Sequence, residues 1–508
     1  MKQYDAVVIG AGNGGLTAAI RLAQGGAKVL LVEKHNLPGG FATSFRRGRF
    51  EFEASLHELN DFGAPDNAGD VRVLFDELGV TDKIEWIPIP DAYRVISRAE
   101  KVDATMPFGV DAFIDKLESY VPGSRRSVKN FFGLAEEVRL AQAYTNSCNG
   151  KADPKYMVEH YGNFVRCGSY SVNEVLQSLH MPKRAREILS AYWCYLGANL
   201  DDMSFVHYAS MVNRYILRGA MSPKSRSHEI SLAMVERIRE LGGDVLLNTE
   251  AVRILTNGDG VSGVVLDDGT EISTRHVVAN CSPHVVYGKL IDEVPEKIVR
   301  ATNARKFAGR GLTMFLGLDR SADDLGIENH NYFLYDTLDS VAQYEKMRTI
   351  EENDVQATVC LNRAQPDCSP AGTCMMYFTT LYMEDDWARI KPQAYQKTKE
   401  FVANRMIDRF EQDTGAKIRD HIEEISVATP MTYARYCGHP QGVIYGYESQ
   451  YWDGLMPRLQ MMGEDYGNGI RGLRFASAWS MRLSGYSSSY FAGDIAGRQT
   501  VGDIKREG

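Results

Sequence analysis

The chain has 508 residues, of which 44% are hydrophobic and 24% charged, a composition typical of globular proteins with two or three domains at this length. Its net charge of −9 and the absence of a basic run argue against nucleic acid as a partner. No run of 18 apolar residues occurs, so the sequence predicts no membrane span and a cytoplasmic protein.

The first forty residues predict a strand, a glycine turn, a helix and a second strand. An apolar run from Ala6 to Ile9 enters the pattern G-x-G-x-x-G, and helical spacing follows from Leu16 to Leu22. The second strand, Lys28 to Val32, ends at Glu33, an acid expected to bind a ribose 2′-hydroxyl and to disfavour a 2′-phosphate. These elements in register predict a dinucleotide site, with the pyrophosphate held by Gly10, Gly12, Asn13, Gly14 and Gly15.

A second glycine pair, Gly39 and Gly40, lies in the segment KHNLPGGFAT at 34–43. Aromatic and acidic residues then alternate from Phe50 to Ala54, which predicts a strand with one buried face. The fingerprint, the motif E-K-x-x-x-x-G-G and the motif G-x-x-F-[DE] together resemble the flavoprotein superfamily of amine oxidases, phytoene desaturases, carotenoid isomerases and retinol saturases.

This resemblance implies that the dinucleotide is FAD and that the glycine pair leads the backbone past the flavin. The residues it implies as cofactor contacts in this region are Lys34, Gly39, Gly40, Phe41, Ala42, Thr43 and His57. Two positions depart from the family pattern. Phe41 stands where amine oxidases usually have Arg, and Ser55 stands where a Gly is common.

The middle of the chain is predicted to begin with short strands and turns at 64–121 and to continue with helices at 122–219. The segment 124–144 has one apolar face and basic residues opposite. Such a helix packs on a core or lies on a membrane surface, and the first interpretation is favoured.

A helix is predicted at 229–241, followed by strands at 245–248, 251–256, 261–266 and 271–274 that we interpret as a β-meander. The apolar strand from Val277 ends at Asn280. The segments GGDVLLNTEAVRI, DDG and VVANCSP closely resemble the second FAD segment of the phytoene desaturase and retinol saturase branch. The resemblance implies that Asn280 belongs to the FAD site and that Val252 meets the adenine through its backbone. Where that branch usually has a glycine pair, this chain has Arg226, Ser227 and His228.

Residues 305–465 are predicted to form a sheet, with strands at 310–320 and 373–382, and one long helix at 391–415. The segments 369–372 and 428–448 resemble the desaturase branch. The second of them contains two candidate catalytic residues, Arg435 and Tyr445.

The end of the chain predicts a strand at 473–478, a glycine and serine turn, and a helix from about Ser488. It resembles the closing FAD segment of the superfamily, whose helix N-terminus stabilises negative charge on the flavin pyrimidine ring. The resemblance implies that Ala478, Gly485 and Tyr486 contact the cofactor. The usual glycine cluster is reduced here to Gly485, Tyr486 and Ser487.

The predicted fold class is α/β, with a Rossmann-type FAD-binding domain, a discontinuous α+β substrate domain and a helical subdomain. The expected boundaries are 1–62, 220–290 and 466–508 for the FAD-binding domain, 63–121 and 291–465 for the substrate domain, and 122–219 for the helical subdomain. The eight cysteines form no C-x-x-C pair and have no histidine at ligand spacing, which predicts reduced thiols and no metal site.

The resemblance implies an FAD-dependent oxidoreductase or isomerase, acting on double bonds of a long apolar unsaturated substrate as a desaturase, saturase or cis/trans isomerase. A polyene, carotenoid, retinoid or unsaturated fatty acid would fit, in a tunnel between the sheet of 305–465 and the helices of 122–219. Two alternatives stay open: a flavin amine oxidase, which Phe41 disfavours, and a non-catalytic lipid-binding protein such as the Rab escort and GDP dissociation inhibitor proteins, which Glu33 and the glycine pair disfavour. The expected partner is an apolar small molecule, peripheral membrane contact stays open, and the sequence does not reveal the oligomeric state.

His57 is the foremost candidate for proton transfer, because the resemblance places the end of the Phe50 strand beside the isoalloxazine. Its ordinary pKa would let it exchange a proton near neutrality. Glu58 and Arg435 are weaker candidates, and a histidine with a purely structural role is the alternative. The aromatic residues expected on the substrate side, or else in the core, are Tyr192, Trp193, Tyr195, Tyr433, Tyr436, Tyr445 and Tyr447.

Overall fold

The computed structural model describes residues 2–148, 152–448, 450–451, 469–480 and 485–507. Its strands are, in chain order, β1 (Lys2–Gln3), β2 (Ala6–Ile9), β3 (Val29–Val32), β4 (Ser44–Arg47), β5 (Phe50–Glu53), β6 (Leu59–Asn60), β7 (Trp86–Pro88), β8 (Tyr93–Ser97), β9 (Val102–Met106), β10 (Ala220–Pro223), β11 (Asp244–Leu246), β12 (Ala251–Asn257), β13 (Gly260–Leu266), β14 (Glu271–Ser273), β15 (His276–Ala279), β16 (Arg310–Leu318), β17 (Asn331–Leu334), β18 (Gln356–Cys360), β19 (Cys374–Tyr382), β20 (Ile422–Ala428) and β21 (Leu473–Phe475).

The α-helices are, in chain order, α1 (Asn13–Gln24), α2 (Asp70–Leu78), α3 (Val110–Tyr120), α4 (Arg125–Ser147), α5 (Pro154–His160), α6 (Gly162–Cys167), α7 (Val172–Ser178), α8 (Lys183–Leu189), α9 (Phe205–Arg218), α10 (Ser227–Glu240), α11 (Pro283–Val285), α12 (Glu296–Asn303), α13 (Ser340–Lys346), α14 (Asp386–Arg389), α15 (Pro392–Thr414), α16 (Pro430–Cys437) and α17 (Tyr486–Glu507). Part of the predicted glycine and serine turn, at 481–484, and the end of the predicted substrate domain, at 452–465, lie outside the described residues.

A five-stranded parallel sheet, in the order β11-β3-β2-β15-β21, forms the centre of the dinucleotide side. All four residues of β2, of β3 and of β15 are buried, as expected of parallel strands covered on both faces. Helix α1 connects β2 to β3 and packs against α17, where a Cβ at Gly493 would lie 2.1 Å from the carbonyl oxygen of Gly14. The predicted strand, turn, helix and strand at the start of the chain are confirmed.

The predicted β-meander is wrong in its first strand. Strand β11 pairs in parallel with β3, with Val245 opposite Leu31, and so completes the central sheet. It directly follows helix α10, and a strand that follows a crossover helix returns parallel to its sheet. The antiparallel meander consists of β12, β13 and β14, and β1 extends it in parallel beside β14.

A seven-stranded mixed sheet, in the order β20-β16-β19-β18-β17-β8-β9, forms the second layer. Its central strands β16 and β19 are buried over all nine residues of each. Helix α15 covers one face, where Met406 and Phe410 join the apolar cluster of Leu316 and Phe378. The two strands and the long helix predicted in this block are therefore confirmed, with slightly shorter bounds.

The helices between α4 and α9 occupy the region predicted to be helical, and they share one apolar core with β8 and β17. Val128, Phe131 and Ala135 of α4 are buried in that core. Within the part of the chain that the structure describes, no helix is both long and apolar enough to cross a membrane.

Helix α2 packs with the dinucleotide side, because Val71, Phe75 and Leu78 belong to the same apolar cluster as α1. A small sheet in the order β6-β10-β7 then joins three distant parts of the chain. The predicted division into domains, which assigned 63–121 to the substrate domain, stays a prediction.

Candidate functional site

A cavity of about 600 Å³ brings most of the predicted site residues together. Those that line it are Gly10, Gly12, Asn13, Gly14, Glu33, Lys34, Gly39, Gly40, Phe41, His57, Asn280, Tyr445, Ala478, Gly485 and Tyr486. Those that do not line it are Gly15, Ala42, Thr43, Val252 and Arg435. Val252 and Arg435 are exposed on the surface, although Ala251 beside Val252 lines the cavity.

The glycine turn after β2 forms one end of this cavity. A Cβ at Gly14 would lie 1.5 Å from the carbonyl oxygen of Ala476, and a Cβ at Gly15 would lie 2.0 Å from that of Gly10. The absence of a side chain at Gly15 therefore allows α1 to pack closely on the end of β2, as predicted from the G-x-G-x-x-G pattern. No side chain caps helix α1 at Gly12, so the first backbone N–H groups of the helix are available to an anion.

The carboxylate of Glu33 is fixed beside this turn. It accepts hydrogen bonds from the backbone N–H of Ala11 at 2.7 Å and of His35 at 2.9 Å, and it keeps further acceptor capacity toward the cavity. Gly39 has φ of +116°, and its N–H donates to the carbonyl of Ala11 at 2.7 Å. The glycine turn, the uncapped helix and the fixed acid fit the pyrophosphate and ribose of FAD.

Two departures from the family pattern contact each other across the cavity. The hydroxyl of Tyr486 donates to the carbonyl of Phe41 at 2.8 Å and lies 2.8 Å from the hydroxyl of Ser55. Ser55 also reaches the carbonyl of Phe41 at 3.2 Å. These bonds tie the start of α17 to the segment after the glycine pair, so Ser55 and Tyr486 replace two family glycines as one unit.

A third departure has a similar explanation. Arg226 has φ of +76°, the left-handed region that glycine adopts most easily, and its guanidinium donates to the carbonyl of Glu51 at 3.1 Å. Ser227 donates its N–H to the buried carboxylate of Glu53 at 2.7 Å. The side chains of this segment thus anchor α10 to β5, where the branch usually has a glycine pair.

Aromatic side chains line the other part of the cavity, together with Leu196 and Ile444. Of the seven aromatic residues predicted on the substrate side, five line the cavity: Tyr192, Tyr195, Tyr433, Tyr436 and Tyr445. Trp193 and Tyr447 are buried in apolar clusters instead. We call this aromatic part of the cavity the chamber. The ring of Phe41 packs against Tyr433 with 5.6 Å between ring centroids, so the chamber begins at the segment that is predicted to pass the flavin.

His57 lines the cavity but is not poised to exchange protons near neutrality. Its Nδ1 lies 2.7 Å from the hydroxyl of Tyr195, and its Nε2 lies 3.5 Å from that of Thr379. Burial lowers the pKa of His57 to about 3, and the neighbouring His330 acts in the same direction. This shift favours the neutral imidazole near pH 7, and the proton-transfer role of His57 stays a prediction.

Glu58, the next residue, behaves in the opposite way. Its Oε1 accepts hydrogen bonds from the hydroxyls of Tyr192 and Tyr215, both at 2.8 Å. Its Oε2 has no hydrogen-bond partner among the described residues. Burial raises the pKa of Glu58 to about 7. From the sequence alone, Glu58 was a weaker candidate for proton transfer than His57. Only the tertiary structure brings Tyr192 and Tyr215 to its carboxylate.

The cavity also has a polar end, which the sequence analysis missed. Arg214 lies 3.3 Å from Asp61 and 3.2 Å from Asp70, and all three residues line the cavity. Burial raises the pKa of Asp61 to about 7, although Arg214 opposes that shift. The sequence gives no signal for this cluster, because Arg214 lies in α9, 144 positions after Asp70. Only the tertiary structure brings the two residues together.

Comparison with known proteins agrees with this geometry. A family model described as flavin containing amine oxidoreductase matches residues 14–393. All-trans-retinol 13,14-reductase from Danio rerio is 26% identical over 477 residues, covering 88% of this chain and 78% of that protein. Prolycopene isomerase 2, chloroplastic, from an Oncidium hybrid cultivar is 24% identical over 469 residues, covering 88% and 75%.

Among solved structures, an oxidoreductase from Methanosarcina mazei is similar in fold, with a TM-score of 0.63 and 15% identity. The match covers 97% of this chain and 99% of that one. At this identity the likeness concerns the fold alone, and it agrees with the α/β architecture of a parallel sheet with an attached mixed sheet.

Proposed function

The chain belongs to the family of flavin-containing amine oxidoreductases, and on this premise we propose that it oxidises, reduces or isomerises a carbon–carbon double bond in a long apolar unsaturated molecule. Its cofactor is FAD. Two of the relatives, a retinol reductase and a prolycopene isomerase, support a polyene or retinoid as the class of substrate. The direction of the reaction is part of what the experiment below determines.

The observation that carries the proposal is the continuity of one cavity. The same cavity includes the glycine turn at Gly10–Gly14 and the chamber of Tyr192, Tyr195 and Tyr445. A long apolar molecule in this chamber would therefore lie directly against a dinucleotide in the cradle. Aromatic walls suit such a molecule, because they offer large apolar surfaces, and the hydroxyls of Tyr192 and Tyr195 bond to Glu58 and His57.

Bound FAD supplies two-electron transfer as hydride, which a carbon–carbon double bond requires. The protein supplies binding and orientation. The turn at Gly10–Gly14 and the N-terminus of α1 would hold the pyrophosphate, and the fixed carboxylate of Glu33 would hold the ribose. The first turn of α17, whose residues 485–489 line the cavity, presents the positive end of its dipole to negative charge there.

The chamber itself has to exclude water and align the substrate. Phe41, Tyr433 and Ile444 close its wall on the side of the large sheet. The neutral His57 adds a polar contact without adding charge, since burial keeps its pKa near 3. Water exclusion strengthens every electrostatic interaction at the reacting carbons and prevents competing reactions.

The test uses the full chain purified, reconstituted with FAD and mixed with defined compounds under anaerobic conditions. The panel comprises all-trans-retinol, prolycopene, a mono-unsaturated fatty acid and, for the amine alternative, putrescine and benzylamine. We expect one of the unsaturated compounds to change in double-bond number or geometry by chromatography with mass spectrometry. Flavin reduction by amines alone would support the amine oxidase, and a chain that binds polyene but no FAD would support the lipid-binding alternative.

Cellular location and membrane contact are also proposals. An apolar substrate of this kind reaches an enzyme from a membrane or a carrier, so we propose a cytoplasmic protein with peripheral contact to lipid. Co-sedimentation of the purified protein with phosphatidylcholine vesicles tests the contact. Protein that stays wholly in the supernatant would contradict it.

A further inference from the structure

A double bond that gains or loses hydride at one carbon needs a proton at the neighbouring carbon, so the chamber needs a group that carries one. Such a group must line the cavity and must be able to hold a proton in one state and release it in the other. Glu58 lines the cavity next to His57, and its side chain is nine-tenths buried. Among the carboxyl groups that line the cavity, it is the nearest along the chain to the Phe50 strand, whose end the family resemblance places beside the flavin.

The hydrogen bonds around Glu58 accommodate both of its protonation states. The hydroxyl of Tyr215 lies 2.8 Å from Oε1 of Glu58 and 2.6 Å from the carbonyl of Ala92. One hydroxyl proton serves only one of these acceptors at a time. When Tyr215 donates to Ala92, a protonated Glu58 can donate to Tyr215. When Glu58 is ionised, Tyr215 and Tyr192 can both donate to it.

The charges around Glu58 place its titration in the neutral range. Burial raises its pKa to about 7, the hydrogen bonds from Tyr215 and Tyr192 oppose this shift, and the carboxylate of Asp91 adds to it. The side-chain amide of Asn331 lies 3.4 Å from Oε1. The two nearby imidazoles bring no charge, because burial lowers the pKa of His57 to about 3 and that of His330 to about 4.

The other candidates near the chamber are less suitable. Burial also raises the pKa of Asp61 to about 7, but this carboxyl group lies at the polar end of the cavity, 3.3 Å from the guanidinium of Arg214. At neutral pH an imidazole with a pKa near 3 is protonated in about one molecule in ten thousand. Burial raises the pKa of Tyr195 and of Tyr445 well above the ordinary value, so neither phenol is an easy donor or a ready base. Arg435 is exposed and does not line the cavity.

We propose that Glu58 is the acid–base residue of the double-bond chemistry, an inference that rests on the proposed function. In the reducing direction its O–H bond breaks and the π electrons form a new C–H bond at one carbon. The other carbon receives the hydride that the reduced flavin cofactor supplies, and Glu58 is left as a carboxylate that solvent reprotonates. In the oxidising direction the carboxylate takes the proton from one carbon as the double bond forms, and the hydride of the other carbon would pass to the oxidised cofactor. An isomerisation would use the reducing and the oxidising step one after the other.

The experiment compares Glu58→Gln and Glu58→Asp with the wild type, all as full chains loaded with FAD. The matched control is Glu187→Gln, which removes another buried carboxyl with a raised pKa that does not line the cavity. Infrared titration without substrate follows the carboxylic acid band between pH 5 and pH 9. The rate with the unsaturated substrate identified above is then measured over the same range.

We expect a carboxylic acid band that disappears with a midpoint near pH 7 in the wild type and in Glu187→Gln. In Glu58→Gln its amplitude should fall, and the part that remains belongs to Asp61, whose pKa burial also raises to about 7. We expect Glu58→Gln to keep its flavin and to turn over 10² to 10⁴-fold more slowly, with a flattened pH profile. Glu58→Asp should retain part of the rate and the profile, because it keeps a carboxyl group.

Two results would overturn the role of Glu58 alone. One is a Glu58→Gln enzyme that keeps its rate within threefold and its pH profile, and the other is a titrating band near pH 7 that is as large in Glu58→Gln as in the wild type. A wild type that turns over none of the unsaturated compounds overturns the proposed function, and with it the role of Glu58. The two failures are thus distinguished by whether the wild type is active.

Discussion

Replacing Gly14 by alanine tests the dinucleotide cradle at its tightest point. Gly14 lies in the first turn of α1, and a Cβ there would be 1.5 Å from the carbonyl oxygen of Ala476. Cβ atoms essentially never come closer than 3.0 Å to such an atom, so α1 and the chain after β21 must separate by at least 3.0 − 1.5 = 1.5 Å. That displacement moves the N–H groups that are expected to hold the pyrophosphate.

The expected free energy follows from two opposing terms. Overpacking of this kind costs about 1–3 kcal/mol and occasionally more, whereas exchanging glycine for alanine inside a helix gains about 1 kcal/mol. Because the clash is with backbone, which cannot rotate away, we place the steric cost at about 3 kcal/mol or above. We therefore expect Gly14→Ala to be destabilised by about 2 kcal/mol and to bind little FAD.

Gly133→Ala is the matched control. Gly133 also lies inside a helix, α4, but nothing lies within 4 Å of a Cβ built on it. This variant should gain up to about 1 kcal/mol and keep its flavin. The assay is the ratio of flavin to protein absorbance after identical reconstitution, together with the thermal midpoint. Equal ratios and equal midpoints for the two variants would refute the reasoning.

Four further outcomes can be measured on the same protein. Glu33→Ala should weaken FAD binding by 10- to 100-fold in a titration, because a hydrogen bond to a charged group contributes about 1.5–3 kcal/mol, and an unchanged affinity would contradict the ribose assignment. Ser55→Ala and Tyr486→Phe should show a coupling of about 1 kcal/mol in a double-mutant cycle of unfolding free energies, since their hydroxyls are 2.8 Å apart; additive effects would show that the bond contributes nothing. His57→Gln should keep turnover within tenfold of the wild type, because glutamine can still bind the hydroxyl of Tyr195, and a loss of a hundredfold would instead assign His57 a chemical step. For Glu58, a pKa raised from 4.5 to about 7 means that its contribution to stability is complete below about pH 4.5 and is lost as the pH rises through 7. Glu58→Gln should therefore gain up to about 3 kcal/mol over the wild type at pH 9 relative to pH 5, and thermal midpoints that differ equally at both pH values would contradict the shift.

The sequence predicted the local parts of this protein well, and the reason is their short range. The elements from β2 to Glu33 lie within 30 consecutive residues, and their glycines have a fixed geometric purpose. The strands β16 and β19 and the helix α15 could be read from their periodicity in the same way. Strand β11 could not, because a short apolar run carries no information about which sheet it will join.

The parts that were missed depend on contacts between distant segments. Tyr192 and Tyr215 reach Glu58 from 134 and 157 positions further along the chain. Arg214 reaches the acidic end of the cavity from the same helical region. A side chain of this kind looks like an ordinary core or surface residue in the sequence, since only the packing of distant segments gives it a partner.

Burial acts on His57 and Glu58 in one direction, and the two residues respond with opposite pKa shifts. A medium that water does not reach disfavours the charged form of each, so it lowers the pKa of the imidazole to about 3 and raises that of the carboxyl to about 7. At pH 7 the imidazole of His57 is uncharged, and the carboxyl group of Glu58 is uncharged in about half of the molecules. An apolar substrate therefore meets little charge at these two residues, yet Glu58 still exchanges a proton near neutral pH. The same desolvation that admits a polyene thus selects Glu58 rather than His57 as the proton carrier.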